Sequence, residues 1–214
     1  MAQQDYLVTS WQALLQMIVN LCGKGYYHYH LTELPVSKQS KWGEIDKKII
    51  KKYKTNKSKW QRHRIKAKGV ANFYYLRWQN IMVILHTQGS VSDEIVYDDR
   101  FSDIRQSPIY LKISEMSAFR IQLTREHKVR VYLTKDTYRG LKDILYNASK
   151  TGNIYRMAQT FNIINGFPAY SGIIEQKKRL ANYLISQAKR NNVHLSWRNL
   201  RFNTKKNTVP NFYR

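Results

Sequence analysis

Apolar residues recur at three- and four-residue steps in several parts of the chain, which is the spacing of one helix face. In the first such segment, residues 10–22, Ser10 can cap the helix, and Gly23 and Gly25 can end it. The same spacing predicts four further helices: over 44–54, from Thr134 or Asp136 to about residue 150, over 154–164 and over 173–191.

Shorter runs rich in β-branched and aromatic residues predict strands over 26–32, 73–76, 81–85, 109–113, 119–123 and 129–133. The third run is apolar at every position, which is typical of a central strand. The last two runs flank a polar tetrapeptide, as the strands of a hairpin do. We expect an α+β domain over 1–153 with a mostly antiparallel sheet and flanking helices, followed by a helical, basic extension over 154–214.

Charge changes this picture more than any other property of the composition. The chain has 37 lysines and arginines against 14 aspartates and glutamates, a net charge of +23 in 214 residues. Because 43% of the residues are hydrophobic, the chain is too apolar for a disordered basic tail and is expected to fold.

Cysteine content and the first apolar segment exclude several classes of protein. Cys22 is the only cysteine, which excludes an internal disulfide and a cysteine-based zinc cluster and favours a reducing, cytoplasmic setting. The segment that ends at Cys22 is interrupted by Gln12, Gln16 and Asn20, so we expect neither a signal peptide nor a membrane span.

The positive charge is concentrated in two segments. Residues 38–77 contain 14 basic and two acidic residues, and residues 177–214 contain ten basic residues and no acidic one. Aromatic residues lie among the cations of the first segment. Lysine and arginine neutralise phosphates, and exposed aromatic rings stack on unpaired bases, so the pattern indicates a nucleic-acid partner.

The predicted contacts with nucleic acid fall into three sets. Phosphate contacts are expected from Lys47, Lys48, Lys51, Lys52, Lys59, Arg62, Arg64, Lys66 and Lys68. Trp60 and Tyr27 are the expected stacking positions, and a second clamp is expected from Arg198, Arg201, Lys205 and Lys206.

The function expected from this pattern is nucleic-acid binding without a cofactor, with the choice between DNA and RNA left open. An accessory role in a mobile element or a ribonucleoprotein would fit. A structural subunit that docks an acidic protein is an alternative. An anionic membrane is a weaker match, because residues 44–54 offer only a narrow isoleucine stripe rather than a broad apolar face.

Two short strings support an enzymatic alternative. In the string 85–89, His86 and Gln88 follow an apolar strand and share a face, and Tyr146 and Lys150 are one turn apart on a predicted helix. These strings resemble the His-x-Gln-Gly metal motif and the tyrosine-plus-lysine motif of rolling-circle replication initiators. The resemblance implies a DNA nickase with a divalent metal on His86 and Gln88 and with Tyr146 as nucleophile. Gln88 stands where the second metal histidine would be, and the tyrosine-to-lysine step is four residues rather than three.

Two other nuclease chemistries are possible from residue types alone. A metal-dependent nuclease would use Asp98, Asp99 or Asp103 with the string 126–128, although that string falls at the predicted hairpin turn. A metal-free RNA endonuclease would use His28 or His30 as general base. The acidic residues of 93–103 are otherwise expected to form a polar loop or to pair with the basic surface.

Overall fold

The computed structural model describes residues 6–205 and 209–212, and within them it shows the predicted α+β fold, with six α-helices and two antiparallel sheets. These elements form two compact units. The first comprises 6–109, Gln122–Val129 and 209–212, and the second comprises Tyr110–Ile121 and 130–205. The predicted division between residues 153 and 154 falls within the second unit.

The sheet of the first unit is built from β1 (His28–Glu33), β2 (Phe73–Trp78), β3 (Ile81–His86) and β4 (Ser102–Asp103), in the order β2-β3-β1-β4. All its neighbouring strands are antiparallel. β3 is buried at every position, as its apolar run predicts for a central strand. The register aligns four residues in one row across the sheet: Phe73, His86, His28 and Asp103.

Three helices complete the first unit: α1 (Trp11–Gly23), α2 (Trp42–Tyr53) and α3 (Lys59–Ala67). The Ser10 hydroxyl caps α1 by accepting from the Ala13 amide at 3.2 Å, as the sequence predicts. α1 buries Leu14, Leu15 and Ile18 completely and contacts β2. This helix is therefore part of the hydrophobic core.

A buried ion pair joins α2 to β2. The Asp46 carboxylate is fully buried and accepts from Arg77 Nε at 2.8 Å, Arg77 Nη2 at 2.7 Å and the Tyr75 hydroxyl at 2.6 Å. At the other end of α2, the buried Tyr53 ring stacks on Phe73 with centroids 5.1 Å apart. The sequence pattern groups Asp46 with the polar residues of α2, whereas the structure uses it to hold the helix against the sheet.

The remaining sheet contains β5 (Ile109–Ser114), β6 (Ser117–Leu123) and β7 (Val129–Leu133), in that order. The second unit adds three helices, α4 (Lys135–Ser149), α5 (Ile154–Asn162) and α6 (Ser171–Arg190), and α4 packs against both α5 and α6. Thr134 caps α4 as predicted. No helix among the described residues combines the length and the apolar character needed to cross a bilayer.

The start of α6 lies very close to β7. The Gln176 side-chain amide exchanges two hydrogen bonds with the Leu133 backbone, at 2.8 and 3.1 Å, and so extends the strand edge. A Cβ atom at Gly172 would lie 2.5 Å from the Tyr132 ring and 2.6 Å from the Val131 carbonyl oxygen. Only glycine permits this approach of helix to strand.

Candidate nucleic-acid interface

α3 is a helix without a buried side. None of its residues is buried, and the Trp60 side chain is 76% exposed. The helix begins with a capping box, in which the Ser58 amide donates to Gln61 Oε1 at 2.7 Å and the Gln61 amide donates to Ser58 Oγ at 3.3 Å. A helix with no fully buried residue gains little from packing, so this local cap and the hydrogen bonds of Arg62 hold it in place.

Arg62 attaches α3 to its surroundings. Its guanidinium donates to three carbonyl oxygens, those of Lys57 at 3.1 Å, Phe73 at 2.7 Å and Thr55 at 2.5 Å, and lies 4.4 Å from the centroid of the Tyr74 ring. The sequence predicts a phosphate contact here. In the structure most of the donor capacity of Arg62 is used inside the protein, so its evident role is to position the helix.

Seven of the predicted phosphate-contacting residues are exposed, and none of the seven forms a salt bridge with a residue that the structure describes. They are Lys47, Lys48 and Lys51 on α2, Lys59, Arg64 and Lys66 on α3, and Lys68 just after it. Their charges are uncompensated by carboxylates, and they surround the exposed Trp60 in sequence. Residues of these types are able to contact phosphates.

Lys52 differs from these residues because the acidic segment 93–103 neutralises it. Its ammonium pairs with Asp98 and, at 2.7 Å, with Asp99, while the adjacent Lys54 pairs with Glu94. Burial lowers the pKa of Lys52, but the hydrogen bonds to Asp98 and Asp99 outweigh burial and raise it above the ordinary lysine value. The pairing of acidic segment with basic surface, one of the two expected arrangements, is confirmed for this end of α2.

His86 lies inside the first unit with both ring nitrogens engaged. Nδ1 lies 2.9 Å from the Thr87 carbonyl oxygen, which can only accept, so Nδ1 carries the proton and Nε2 accepts from the Tyr97 hydroxyl at 3.1 Å. Burial lowers the pKa of His86 to about 4. Gln88 is exposed, and its Oε1 accepts from Arg105 at 3.2 Å. Metal binding by His86 and Gln88 would require these hydrogen bonds to break.

Tyr146 and Lys150 do lie together, as their spacing predicts. Tyr146 is on α4 with 40% of its surface exposed, and the Lys150 ammonium lies 4.3 Å from the centre of its ring. Both belong to the second unit, whereas His86 and Gln88 belong to the first.

The carboxylates that a metal-dependent nuclease would use are already paired with cations of the protein. Asp103 binds the Arg105 guanidinium at 2.6 Å, and these hydrogen bonds hold the pKa of Asp103 below its ordinary value. Glu126 and Lys128 pair with each other at 3.0 Å on the exposed turn between β6 and β7. Within 6–205 and 209–212 there is no group of three or more histidine, cysteine or acidic residues placed to hold a metal.

His28 and His30, the general-base candidates of a metal-free RNA endonuclease, lie in β1. The His28 ring stacks on His86 with centroids 4.6 Å apart, and His30 Nδ1 lies 2.9 Å from the Arg100 carbonyl oxygen. Tyr27, a predicted stacking residue, has the Arg105 guanidinium 5.2 Å from its ring centroid. One face of that ring is therefore already covered by a cation.

In the carboxyl-terminal segment, the predicted clamp residues Arg198, Arg201 and Lys205 are exposed, and Lys206 lies outside the described residues. Lys177, in contrast, is buried, and its ammonium donates to the Phe167 carbonyl at 2.7 Å. Burial lowers the pKa of Lys177 to about 8. Lys177, one of the ten basic residues of 177–214, is therefore unavailable to a partner.

The second unit also contains a cavity of about 620 Å³ that sequence reasoning missed. Cations and tyrosines line it, among them Tyr110, Arg120, Tyr132, Lys135, Tyr138 and Arg179. The available signal was the alternation of β5, where the exposed Tyr110 lies between the buried Ile109 and Leu111. The charge count missed this cavity because its cations are dispersed along the chain.

Comparison of the chain with models of protein families, with curated proteins and with solved structures found no match.

Proposed function

We propose that this protein binds nucleic acid, with the exposed cations of α2 and α3 on phosphates and Trp60 stacked on an unpaired base. The observation that carries the proposal is α3 itself, a capped helix that buries no residue and exposes a tryptophan among cations. The exposed face of a tryptophan ring, set among cations, is a surface on which an unpaired base can stack.

The same observation favours an unpaired strand over a membrane. Membrane-surface helices carry a broad apolar face, whereas the apolar residues of α3 are only Trp60, the half-buried Ile65 and Ala67. Cations around a single ring are suited to a backbone of phosphates with accessible bases. The proposal includes a cytoplasmic location and an accessory role in a mobile element or ribonucleoprotein.

The test is a titration with a single-stranded oligonucleotide at several salt concentrations. We expect Trp60→Ala to weaken binding by about 5- to 150-fold, the effect of removing one base-stacking ring. The triple variant Lys47→Gln/Lys48→Gln/Lys51→Gln should reduce the slope of log affinity against log salt by about 0.7 for each phosphate that the protein no longer neutralises.

The matched control removes three exposed lysines of the second unit, in the variant Lys112→Gln/Lys178→Gln/Lys189→Gln. If both triple variants flatten the salt dependence equally, the cations of α2 are not a specific binding surface. The structural-subunit alternative would be favoured instead if freshly purified protein carried no nucleic acid but retained an acidic protein.

The nickase is the second candidate function, and the contact between Tyr146 and Lys150 favours it. Tyr146 is accessible to a phosphodiester, and the Lys150 ammonium over its ring places a positive charge nearby. Incubation with single-stranded DNA and Mg²⁺ should then give a covalent adduct that Tyr146→Phe abolishes without reducing binding. Equal behaviour of the two proteins would eliminate this candidate.

A further inference from the structure

A cavity of about 530 Å³ lies beside the amino-terminal part of α3, within the first unit. Its walls come from the end of α1, from α3 and from the residues around β2. The volume is within the range of about 300 to 1,000 Å³ that small-molecule sites occupy. The residues that carry the argument are Lys57, Lys59, Lys66, Tyr26, Tyr74 and Asn72.

The charge of the cavity favours an anion. Lys24, Lys57, Lys59 and Lys66 line it together with Arg62, and none of its described lining residues is acidic. None of these four lysines forms a salt bridge with a described residue. Lys57 is half-buried, and burial, followed by repulsion from Arg62 and Lys54, lowers its pKa. A phosphate group would relieve this repulsion.

The walls also suit a flat, partly apolar group. Tyr26 is buried and meets Tyr74 edge to face, with ring centroids 6.2 Å apart. Arg62 covers the Tyr74 ring, so the aromatic side of the cavity is itself cationic. Bases stack on aromatic rings and on guanidinium planes.

One wall residue lacks a hydrogen-bond donor. Asn72 is 1% exposed, and its Nδ2 donates to the Arg62 carbonyl oxygen at 2.9 Å, which fixes the orientation of the amide. Its Oδ1 is the one buried side-chain polar atom in the described part of the chain that has no hydrogen-bond partner. A buried acceptor without a donor is unfavourable, and a bound group whose N–H or O–H reached Oδ1 would satisfy it.

We propose that this cavity binds a single unpaired nucleotide, with its phosphate on Lys57, Lys59 and Lys66 and its base between the tyrosines and Asn72. A phosphate alone would neutralise the lysines but would bring no donor for Asn72. A nucleotide supplies both the anion and the N–H groups of the base. The inference rests on the proposed function, since it names where a bound strand places one of its nucleotides. A free nucleoside monophosphate presents the same base as a nucleotide within a strand, with a phosphate of higher charge.

The test measures binding of the four nucleoside 5′-monophosphates, ribose 5-phosphate and inorganic phosphate by titration calorimetry with the full chain. We expect the best nucleoside monophosphate to bind at least about tenfold more tightly than ribose 5-phosphate, because the latter lacks the base. Equal affinities for the two would overturn the proposal without any need for a mutation at the buried Asn72.

Two lysine variants locate the site. Lys57→Gln/Lys59→Gln/Lys66→Gln should weaken nucleoside monophosphate binding by about tenfold or more. Lys112→Gln/Lys178→Gln/Lys189→Gln, which removes the same charge from exposed positions of the second unit, should leave it unchanged. An equal weakening in both variants would mean that the nucleotide binds elsewhere or only through net charge, and would overturn the proposal.

A single-stranded oligonucleotide separates this proposal from the proposed function. Competition between the oligonucleotide and the monophosphate supports occupation of the cavity by a nucleotide of the strand. Oligonucleotide binding without any monophosphate binding overturns the cavity site and leaves the proposed function standing. Monophosphate binding without oligonucleotide binding overturns the proposed function and identifies a site for a free nucleotide. If neither binds, both proposals are overturned.

Discussion

His86 makes the stability of the first unit depend on pH. Its ring is buried against Phe73, His28, Tyr97 and Phe101. The negative charge of Asp103 raises the pKa of His86, but by less than burial lowers it. In the native state its pKa is lowered from 6.5 to about 4, primarily by burial. The unfolded chain therefore binds a proton at a pH at which the folded chain does not.

The consequence is a loss of stability in mild acid. Neutral His86 makes its full contribution to the free energy of unfolding above pH 6.5, the pKa of a histidine in the unfolded chain. That free energy falls by up to about 3 kcal/mol as the pH drops from 6.5 towards 4. Urea unfolding at pH 7 and at pH 4.5 should show this loss, and His86→Gln, which can donate and accept but does not titrate, should show a smaller one. An identical loss in the variant would place its origin in other groups.

At the scale of single elements, α2 depends on its buried carboxylate. Asp46→Asn keeps the shape of the side chain but leaves the Arg77 guanidinium, whose side chain is only 10% exposed, without a counter-charge. We expect the free energy of unfolding to fall by about 3–5 kcal/mol, as is typical when one partner of a buried pair is removed. Glu44→Gln, an exposed change in the same helix, should change it by less than about 0.5 kcal/mol. Similar effects of the two variants in urea unfolding would contradict the anchoring role of Asp46.

The elements themselves follow closely from the sequence. Observed α1, α2, β3 and β7 differ from their predicted bounds by two residues or fewer at each end, because caps and hydrophobic periodicity depend on neighbouring residues. α3 is not among the predicted helices, since its lysines and arginines mask any apolar face. Its capping box, Ser58 with Gln61, is the local signal that could have located its start.

At the scale of the whole molecule, the net charge of +23 leaves few carboxylates for internal pairing, and the acidic segment 93–103 provides several of them. A nucleic acid would compete with this segment for Lys52. We expect Asp98→Asn/Asp99→Asn to raise affinity for a single-stranded oligonucleotide about three- to tenfold near 0.1 M salt, with a salt slope steeper by about 0.7 if Lys52 gains one phosphate.

A control with the same change in net charge distinguishes the release of Lys52 from a general electrostatic effect. Asp136→Asn/Asp143→Asn neutralises two exposed acids of α4 that form no salt bridge with a described residue. This control variant should raise the affinity for the oligonucleotide less than Asp98→Asn/Asp99→Asn does. Equal gains in filter-binding measurements would show that net charge alone governs binding.

The candidate interface was only partly predictable. Exposed Lys47, Lys51 and Lys59 agree with a simple assignment of cations to solvent, but Lys52 and Arg62 are engaged within the protein. Adjacent lysines in one helix cannot be told apart by spacing alone, because their environment depends on what packs beside them.

By itself, the sequence determined most of the elements, though not α3 or β4, together with the α+β class and the location of the positive charge, because these depend on residues close together in the chain. Only the tertiary structure decided which charges are neutralised, since the partners are distant: Asp46 and Arg77 are 31 positions apart, and Lys52 and Asp99 are 47 apart. The cavity beside α3 and the unpaired oxygen of Asn72 likewise arise only when α1, α3 and the sheet assemble. Electrostatics and hydrogen bonding act through space, and their outcome is set by the fold.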